Sequence, residues 1–388
     1  MPSDAIPRRF RDVVQPFVGG NAVELLRDGV EAYPAMLDAI AAAREQVLLE
    51  MYWFDSDRAG RRFADALVAA AARGVEVAVL YDSVGSFTAD STMFEELRRA
   101  GVVVLEFGPV APWRRRFRLE RLTRRDHRKI LVVDGEVGFT GGCNLADAWL
   151  PLEGGGRGWR DDMVSVRGPA VRGLLRSVLG TWRQIGGPPL LRLRPSEPSA
   201  GPPTARMRVN VLAEASFLQA RREISRAYVR EIYAARRRVW IRNAYFVPDR
   251  VVRRALGRAV ARGVDVRVLM PGESDVEFVR HASRATWGYL LRRGVRLFEW
   301  QPGILHAKSA VIDGRWSTIG TFNLDYLSLR SNLEVNVSVD DEAFGATMER
   351  SFLADLEQSK EVDRVNFRYR PLGERLLELI AYRFRKFL

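Results

Sequence analysis

The sequence predicts an α/β protein built from two similar domains, each a mixed β-sheet flanked by helices, related by internal duplication, with an active site where they meet. Three observations carry this. Apolar strand-like runs alternate with amphipathic helical patterns along the chain. The same phrases occur twice in the same order, "AARGVEVAVLYD" answering to "VARGVDVRVLMP" and "RRAGVVVLEF" to "RRGVRLFEW". A stretch rich in Pro, Gly and Ser, "GGPPLLRLRPSEPSAGPPTA", separates the copies. The expected divisions are residues 1–186 for the first domain, 187–206 for a linker and 207–388 for the second domain, which ends in a basic helix.

Each copy opens with a helical pattern running into a strand that ends in aromatics, "DAIAAAREQVLLEMYWF" and then "REIYAARRRVWIRNAYF". A helix stopped by glycine and a β-branched strand follow in each half. The next phrase is the most informative. "HRKILVVDG" places His127, Lys129 and Asp134, and "HAKSAVIDG" places His306, Lys308 and Asp313 at the same spacing. The chain has only three histidines, and two of them stand in this pattern. On a strand, residues two apart face one side, so each His is expected to point with its Lys. Asp-Gly ends each strand as a tight-turn signal. After six intervening residues each aspartate is followed by "GGCN" or "GTFN", ending in Asn144 and Asn323.

Two imidazoles, two ammonium groups and two amides suit a phosphodiester. Lys and Asn neutralise and position non-bridging oxygens, a neutral His attacks phosphorus, and a second His protonates the leaving oxygen and then activates the incoming hydroxyl. Neither half supplies both imidazoles, hence a site shared between the domains. The pattern does not favour a metal. No HxH, HExxH or cysteine cluster is present, and two lysines beside the histidines repel a cation. No cofactor is expected.

The duplicated HxKxxxxD pattern resembles the signature of the phospholipase D superfamily, and the likeness runs over nearly the whole chain. "LEMYWFDSDRAG", "FTGGCNLAD", "WRDDMVSVRGPAV", "NAYFVPD" and "GTFNLDYLSLRSNLEVN" are most similar to bacterial cardiolipin synthases, of the type without amino-terminal membrane helices. The resemblance implies a phosphohistidine intermediate, no metal, and transfer of a phosphatidyl group to an alcohol. It casts His127 as nucleophile and His306 as general acid and base, and gives Lys129, Lys308, Asn144 and Asn323 the phosphate. Asp134 and Asp313 complete the signature set, although their strand-ending positions suit fixing a turn. A carboxylate downstream of each signature orients an imidazole in the family. Glu334 matches for one and Asp161 for the other, with Asp162 adjacent as the alternative. Two positions depart from the family pattern: Leu327 stands where an Arg is usual, and Asp126 where an Asn is common.

The implied reaction joins two phosphatidylglycerol molecules and releases glycerol, with phosphatidylethanolamine as another possible donor. Hydrolysis by water, a nuclease, and a non-catalytic membrane-binding module are the alternatives.

The formal charge of +13 points to a polyanionic partner, either nucleic acid or an anionic membrane surface, and composition does not choose between them. The resemblance puts an anionic phospholipid membrane before nucleic acid. "PWRRRFRLERLTRRD" runs into His127 and interleaves Trp113, Arg114, Arg115, Arg116, Phe117 and Arg118, the expected headgroup contacts. The carboxyl-terminal "PLGERLLELIAYRFRKFL" is helical and basic. Its leucines suit either a bilayer or packing on the second domain. A single cysteine, Cys143, excludes an internal disulfide and is read as a small apolar filler. His281, outside the repeated pattern, is placed on a helix. With no apolar run of spanning length and no secretory signal, the expected location is peripheral, on the cytoplasmic face of a bacterial inner membrane. No obligate protein partner is expected.

Overall fold

The first half begins with β1 (Val18–Arg27) and α1 (Asp28–Ala42). It continues through β2 (Gln46–Met51), α2 (Arg58–Ala72), β3 (Glu76–Asp82), α3 (Ser91–Arg99) and β4 (Val103–Phe107). The hairpin β5 (Lys129–Val133) and β6 (Val137–Gly141), then β7 (Asp162–Arg167) and α4 (Val171–Gln184), complete it. The second half repeats the plan. It starts with β8 (Met207–Ala213), α5 (Glu223–Ala234), β9 (Arg238–Asn243), α6 (Arg250–Ala261), β10 (Asp265–Glu273), α7 (Glu277–Arg292) and β11 (Arg296–Ile304). It closes with β12 (Lys308–Ile312), β13 (Trp316–Gly320), α8 (Tyr326–Arg330), β14 (Val335–Asp340) and α9 (Glu342–Glu357). Beyond the repeat lie β15 (Ser359–Glu361), α10 (Arg364–Arg368) and α11 (Leu372–Arg383). These elements come from a computed structural model, which describes residues 10, 16–110, 124–190, 202, 205–213 and 222–387.

Local chemistry repeats with the elements. Asp57 caps α2 by accepting from the Gly60 amide, and Asp249 caps α6 by accepting from Val251 and Val252. The glycines that stop these helices, Gly74 and Gly263, have φ of 84° and 86°, a conformation that costs glycine little.

The two mixed sheets do not stay separate. Among the described residues they fuse into one sheet of 15 strands, ordered β15-β11-β10-β9-β12-β13-β14-β8-β1-β7-β6-β5-β2-β3-β4. The order reads as one half followed by its reverse, with β1 and β8 antiparallel at the centre. Pairing these strands removes two edges that each half would otherwise expose. The register slips between Val18 and Asn21, and fully buried Asn21 bridges the slip. Its amide donates to the carbonyls of Val18 and Met207 and its oxygen accepts from Ala170.

Within each half three strands are parallel, β2-β3-β4 and β9-β10-β11. Both faces are covered, so β2 is buried at every residue and alternates its partners. Val47, Leu49 and Met51 join the core under α1, α2 and α3, while Leu48 joins a core shared by both halves beneath α4 and α9. A third core lies under α5, α6 and α7. The expected boundaries fall between α4 and β8, and most of the 187–206 linker lies outside the described residues. So do Trp113, Arg114, Arg115, Arg116, Phe117 and Arg118.

Candidate active site

Strand direction decides where the histidines stand. β5 runs antiparallel to β2 with Lys129 opposite Met51, and β12 runs antiparallel to β9 with Lys308 opposite Asn243. The start of each hairpin therefore lies at the carboxyl ends of the parallel strands, the usual place for a site in an open α/β sheet. Lys129 and Lys308 are the first strand residues, so each His sits two residues ahead of its strand rather than within it. What holds it there is the other repeat. The His127 amide donates to the Leu333 carbonyl at 3.0 Å, and the His306 amide to the Arg160 carbonyl at 2.7 Å. Parallel bridges Asp126–Leu333 and Arg160–Leu305 accompany these bonds.

The residue after each of those carbonyls is a carboxylate, and it faces the imidazole. His127 Nδ1 lies 3.1 Å from Glu334 Oε2, and His306 Nδ1 lies 2.8 Å from Asp161 Oδ2. Both carboxylates are completely buried, and the histidines are 8% and 5% exposed. A carboxylate at Nδ1 fixes the Nδ1–H tautomer and leaves the Nε2 lone pair for chemistry. Each imidazole is thus oriented by the repeat that does not carry it. Asp162 does not compete for His306. It is held by Arg160, Arg242 and Ser309, and the two guanidinium groups overcome burial to keep its carboxyl far below the usual range.

The two carboxylates are seated differently. Thr321 and Ser328 hydroxyls donate to Glu334, at 2.5 and 2.6 Å. Asp161 accepts from the Trp149 indole N–H at 2.9 Å and from the Asp162 amide at 2.9 Å. Gly142, at the position matching Thr321, admits this: a Cβ there would fall 2.0 Å from Asp161 Oδ1. In both pairs the carboxyl pKa is below its ordinary value, because the imidazole and the hydrogen bonds outweigh burial. Burial foremost, then the Lys129 ammonium, lowers His127 to about 4 against the opposing pull of Glu334. His306 is lowered by burial and then by Lys308. Both imidazoles are neutral near pH 7, the form that attacks.

The lysines converge between them. Lys129 is fully buried and lowered to about 7, first by burial and next by the Lys308 ammonium. Lys308 is also fully buried and lowered, chiefly by burial. Each ammonium donates to the carbonyl of its own histidine. Two mutually repelling buried cations make a place that an anion relieves. Asn144 and Asn323, both buried, accept through Oδ1 from the amides of Trp53 and Tyr245, which ties them to the segments after β2 and β9. Among the described residues no group of three or more His, Cys, Asp and Glu is arranged to hold a metal ion.

Asp134 and Asp313 do not join this cluster. They follow the far ends of β5 and β12, with φ of 52° and 55°. Asp134 accepts from the amides of Arg44, Glu45 and Gln46, and Asp313 from those of Arg236, Arg237 and Arg238. The signature aspartates thus clasp the turns into β2 and β9, and their place among the reacting groups is withdrawn.

Sequence reasoning left several neighbours unassigned. The Tyr52 ring lies 4.8 Å from that of His127 and 4.8 Å from Lys129 Nζ. Tyr245 flanks His306 at 6.3 Å and Lys308 at 5.8 Å. Both stand in the strand-ending aromatics of the repeat, which was the available signal. Trp149 and Trp159, from the first half, lie 5.4 and 5.6 Å from His306. Arg125 pairs with Asp82 at 3.1 Å, and burial raises that carboxyl to about 6. Asp126 is buried against Arg128, which also reaches Glu50. Cys143 is a buried filler whose thiol is raised by burial, and His281 lies on α7.

Comparison with known proteins shows which family the chain resembles. The family model described as "Cardiolipin synthase, PLD-like domain" matches residues 36–152 and again residues 228–356. "Cardiolipin synthase A" of Pseudomonas entomophila is 37% identical over 386 residues, which cover 97% of this chain and 77% of that protein. "Cardiolipin synthase" of Geobacillus thermodenitrificans is 35% identical, covering 96% of this chain and 73% of that one. Among solved structures, phosphatidylserine synthase from Haemophilus influenzae superposes with a TM-score of 0.73 over 98% of this chain and 99% of that one. At 12% identity that likeness is one of fold.

Proposed function

The chain belongs to the cardiolipin synthase group of the phospholipase D-like family, and from that premise we propose that it is a phosphatidyltransferase. It joins two phosphatidylglycerol molecules into cardiolipin and releases glycerol. The observation that carries the mechanism is the pair of imidazoles, each with Nδ1 on a buried carboxylate of the opposite repeat and each beside a buried lysine.

In the first half-reaction His127 Nε2 attacks phosphorus, the bond from phosphorus to the glycerol oxygen breaks, and His306 delivers a proton to that oxygen. A phosphatidyl group now sits on His127 and His306 is neutral. In the second, His306 takes the proton from the primary hydroxyl of another phosphatidylglycerol, whose oxygen attacks phosphorus and expels His127. The resting His306 is neutral because burial and Lys308 lower its pKa. An arriving phosphodiester anion opposes both effects and promotes the protonated form. Lys129, Lys308, Asn144 and Asn323 hold the non-bridging oxygens, with the lysines giving up their carbonyl bonds to do so. Glu334 and Asp161 are positioning residues that stabilise imidazolium as it forms. Asp134 and Asp313 only shape the strands.

We assign the working surface to an anionic leaflet, on the cytoplasmic face of the inner membrane. The net charge of +13 supports an anionic partner. Among the described residues no helix is long and apolar enough to cross a membrane. The test is incubation with phosphatidylglycerol in detergent mixed micelles and mass spectrometry of the products. Cardiolipin with an equal amount of free glycerol is expected. Phosphatidic acid in its place overturns the transferase reading in favour of hydrolysis, and no lipid turnover removes the lipid substrate altogether.

A further inference from the structure

Helix α11 packs with the wrong face for an ordinary surface helix. The residues it buries are Glu378, 2% exposed, and Ala381, fully covered. Glu378 pairs with Arg284 of α7 at 3.1 Å and with Arg370 at 2.5 Å, and Ala381 packs against Val279 and Ala282 of α7, so the helix docks through ion pairs and a small apolar contact. Its leucines point elsewhere. Leu372, Leu376, Leu379 and Ile380 are 78%, 60%, 63% and 44% exposed. Spaced i, i+4, i+7 and i+8, they form one outward stripe.

Beside the stripe lies a cleft of about 570 Å³ between α7, α10 and α11, into which Arg292, Arg364, Arg368 and Arg375 project. All four are exposed, and among the described residues none pairs with a carboxylate. The opposite, buried side of α11 reaches the surroundings of the site. Ala381 and Tyr382 share an apolar cluster with Val247, Val279, Ala282 and Tyr245, and Tyr245 flanks His306.

We propose that α11 is a membrane-docking helix for an anionic leaflet. The leucine stripe enters the acyl boundary and the four arginines take headgroup phosphates. The choice of a bilayer as occupant rests on the lipid-transferase reading and on charge. An apolar stripe flanked by unpaired arginines matches the order of acyl chains and phosphates in a leaflet. A second copy fits worse, because a two-fold contact would set the same arginines against each other.

The test uses the full chain and co-sedimentation with vesicles of phosphatidylglycerol and phosphatidylcholine, against phosphatidylcholine alone. Two variants are compared, Leu376→Glu/Ile380→Glu and Arg368→Glu/Arg375→Glu, with turnover in mixed micelles measured in parallel. Wild type is expected to bind the anionic vesicles, and each variant to bind roughly tenfold or more weakly. Micellar turnover is expected to stay within about threefold, since the substituted side chains are exposed and away from the reacting groups. Either variant binding like wild type overturns the proposal. So does a wild-type dimer that Leu376→Glu/Ile380→Glu makes monomeric without loss of vesicle binding. Micellar turnover without α11-dependent binding defeats the docking alone, and α11-dependent binding without turnover defeats the transferase reading alone.

Discussion

Replacing Asp161 by Asn exposes how closely the site is specified. The carboxylate receives three N–H groups: His306 Nδ1 and Trp149 Nε1 at Oδ2, and the Asp162 amide at Oδ1. Of these donors only the imidazole can reverse its role, by changing tautomer. If the Asn oxygen takes the Oδ2 position, its NH₂ opposes the Asp162 N–H. If it takes the Oδ1 position, the NH₂ opposes Trp149 and drives His306 to the Nε2–H tautomer. Either way one buried donor is left unpaired, a cost of about 1–3 kcal/mol in stability. The neutral amide also withdraws the charge that stabilises imidazolium, so turnover should fall by about 10²–10⁴, equivalent to roughly 3–5.5 kcal/mol of barrier. KM should stay near its original value, because Asp161 does not reach substrate. Urea unfolding and steady-state rates on micellar phosphatidylglycerol read both effects. Glu334→Gln is the control. Hydroxyls of Ser328 and Thr321 can turn to accept as well as donate, so its stability cost should be under about 1 kcal/mol while its rate loss is as large. An Asp161→Asn protein that keeps its rate within about threefold refutes the orienting role.

Other outcomes follow from the same geometry. In the free protein Lys129 loses its proton as pH rises through about 7, so the cationic pocket is complete below that value and weakens above it. The affinity for dimethyl phosphate, whose charge is constant between about pH 6 and pH 9, should fall by up to about tenfold per unit above pH 7. Isothermal titration checks this, and a flat profile contradicts it. Gly142→Ala brings a Cβ to 2.0 Å from Asp161 Oδ1 and should cut turnover by about 10²-fold or more without blocking folding. Asp134→Ala strips an acceptor from three amides and leaves alanine at positive φ. It should lower stability by about 2–4 kcal/mol while the rate per folded molecule holds. A catalytic collapse at full stability would return Asp134 to the reacting groups.

The repeated pattern made His127, Lys129, His306 and Lys308 legible, because no fold requires such residues twice at one spacing. Helix–glycine–strand phrases made the α/β units legible for the same reason. Joining of the two sheets through β1 and β8 was not, since edge pairing depends on how the halves meet and leaves no local pattern. The carboxylates Glu334 and Asp161 came from family resemblance. Their crossing between repeats required the backbone bonds from His127 to Leu333 and from His306 to Arg160. The leucines of α11 show a limit of periodicity. A stripe can be recognised in sequence, but which face docks was decided by Glu378 and its arginines.

The central claim is a single site assembled from both repeats, and initial rates of His127→Ala and His306→Ala on micellar phosphatidylglycerol test it most directly. Each variant should retain less than about 10⁻³ of the wild-type rate, because each lacks an imidazole that the other half cannot replace. About half of the wild-type rate in either variant would contradict the account, because each repeat would then carry a working site of its own.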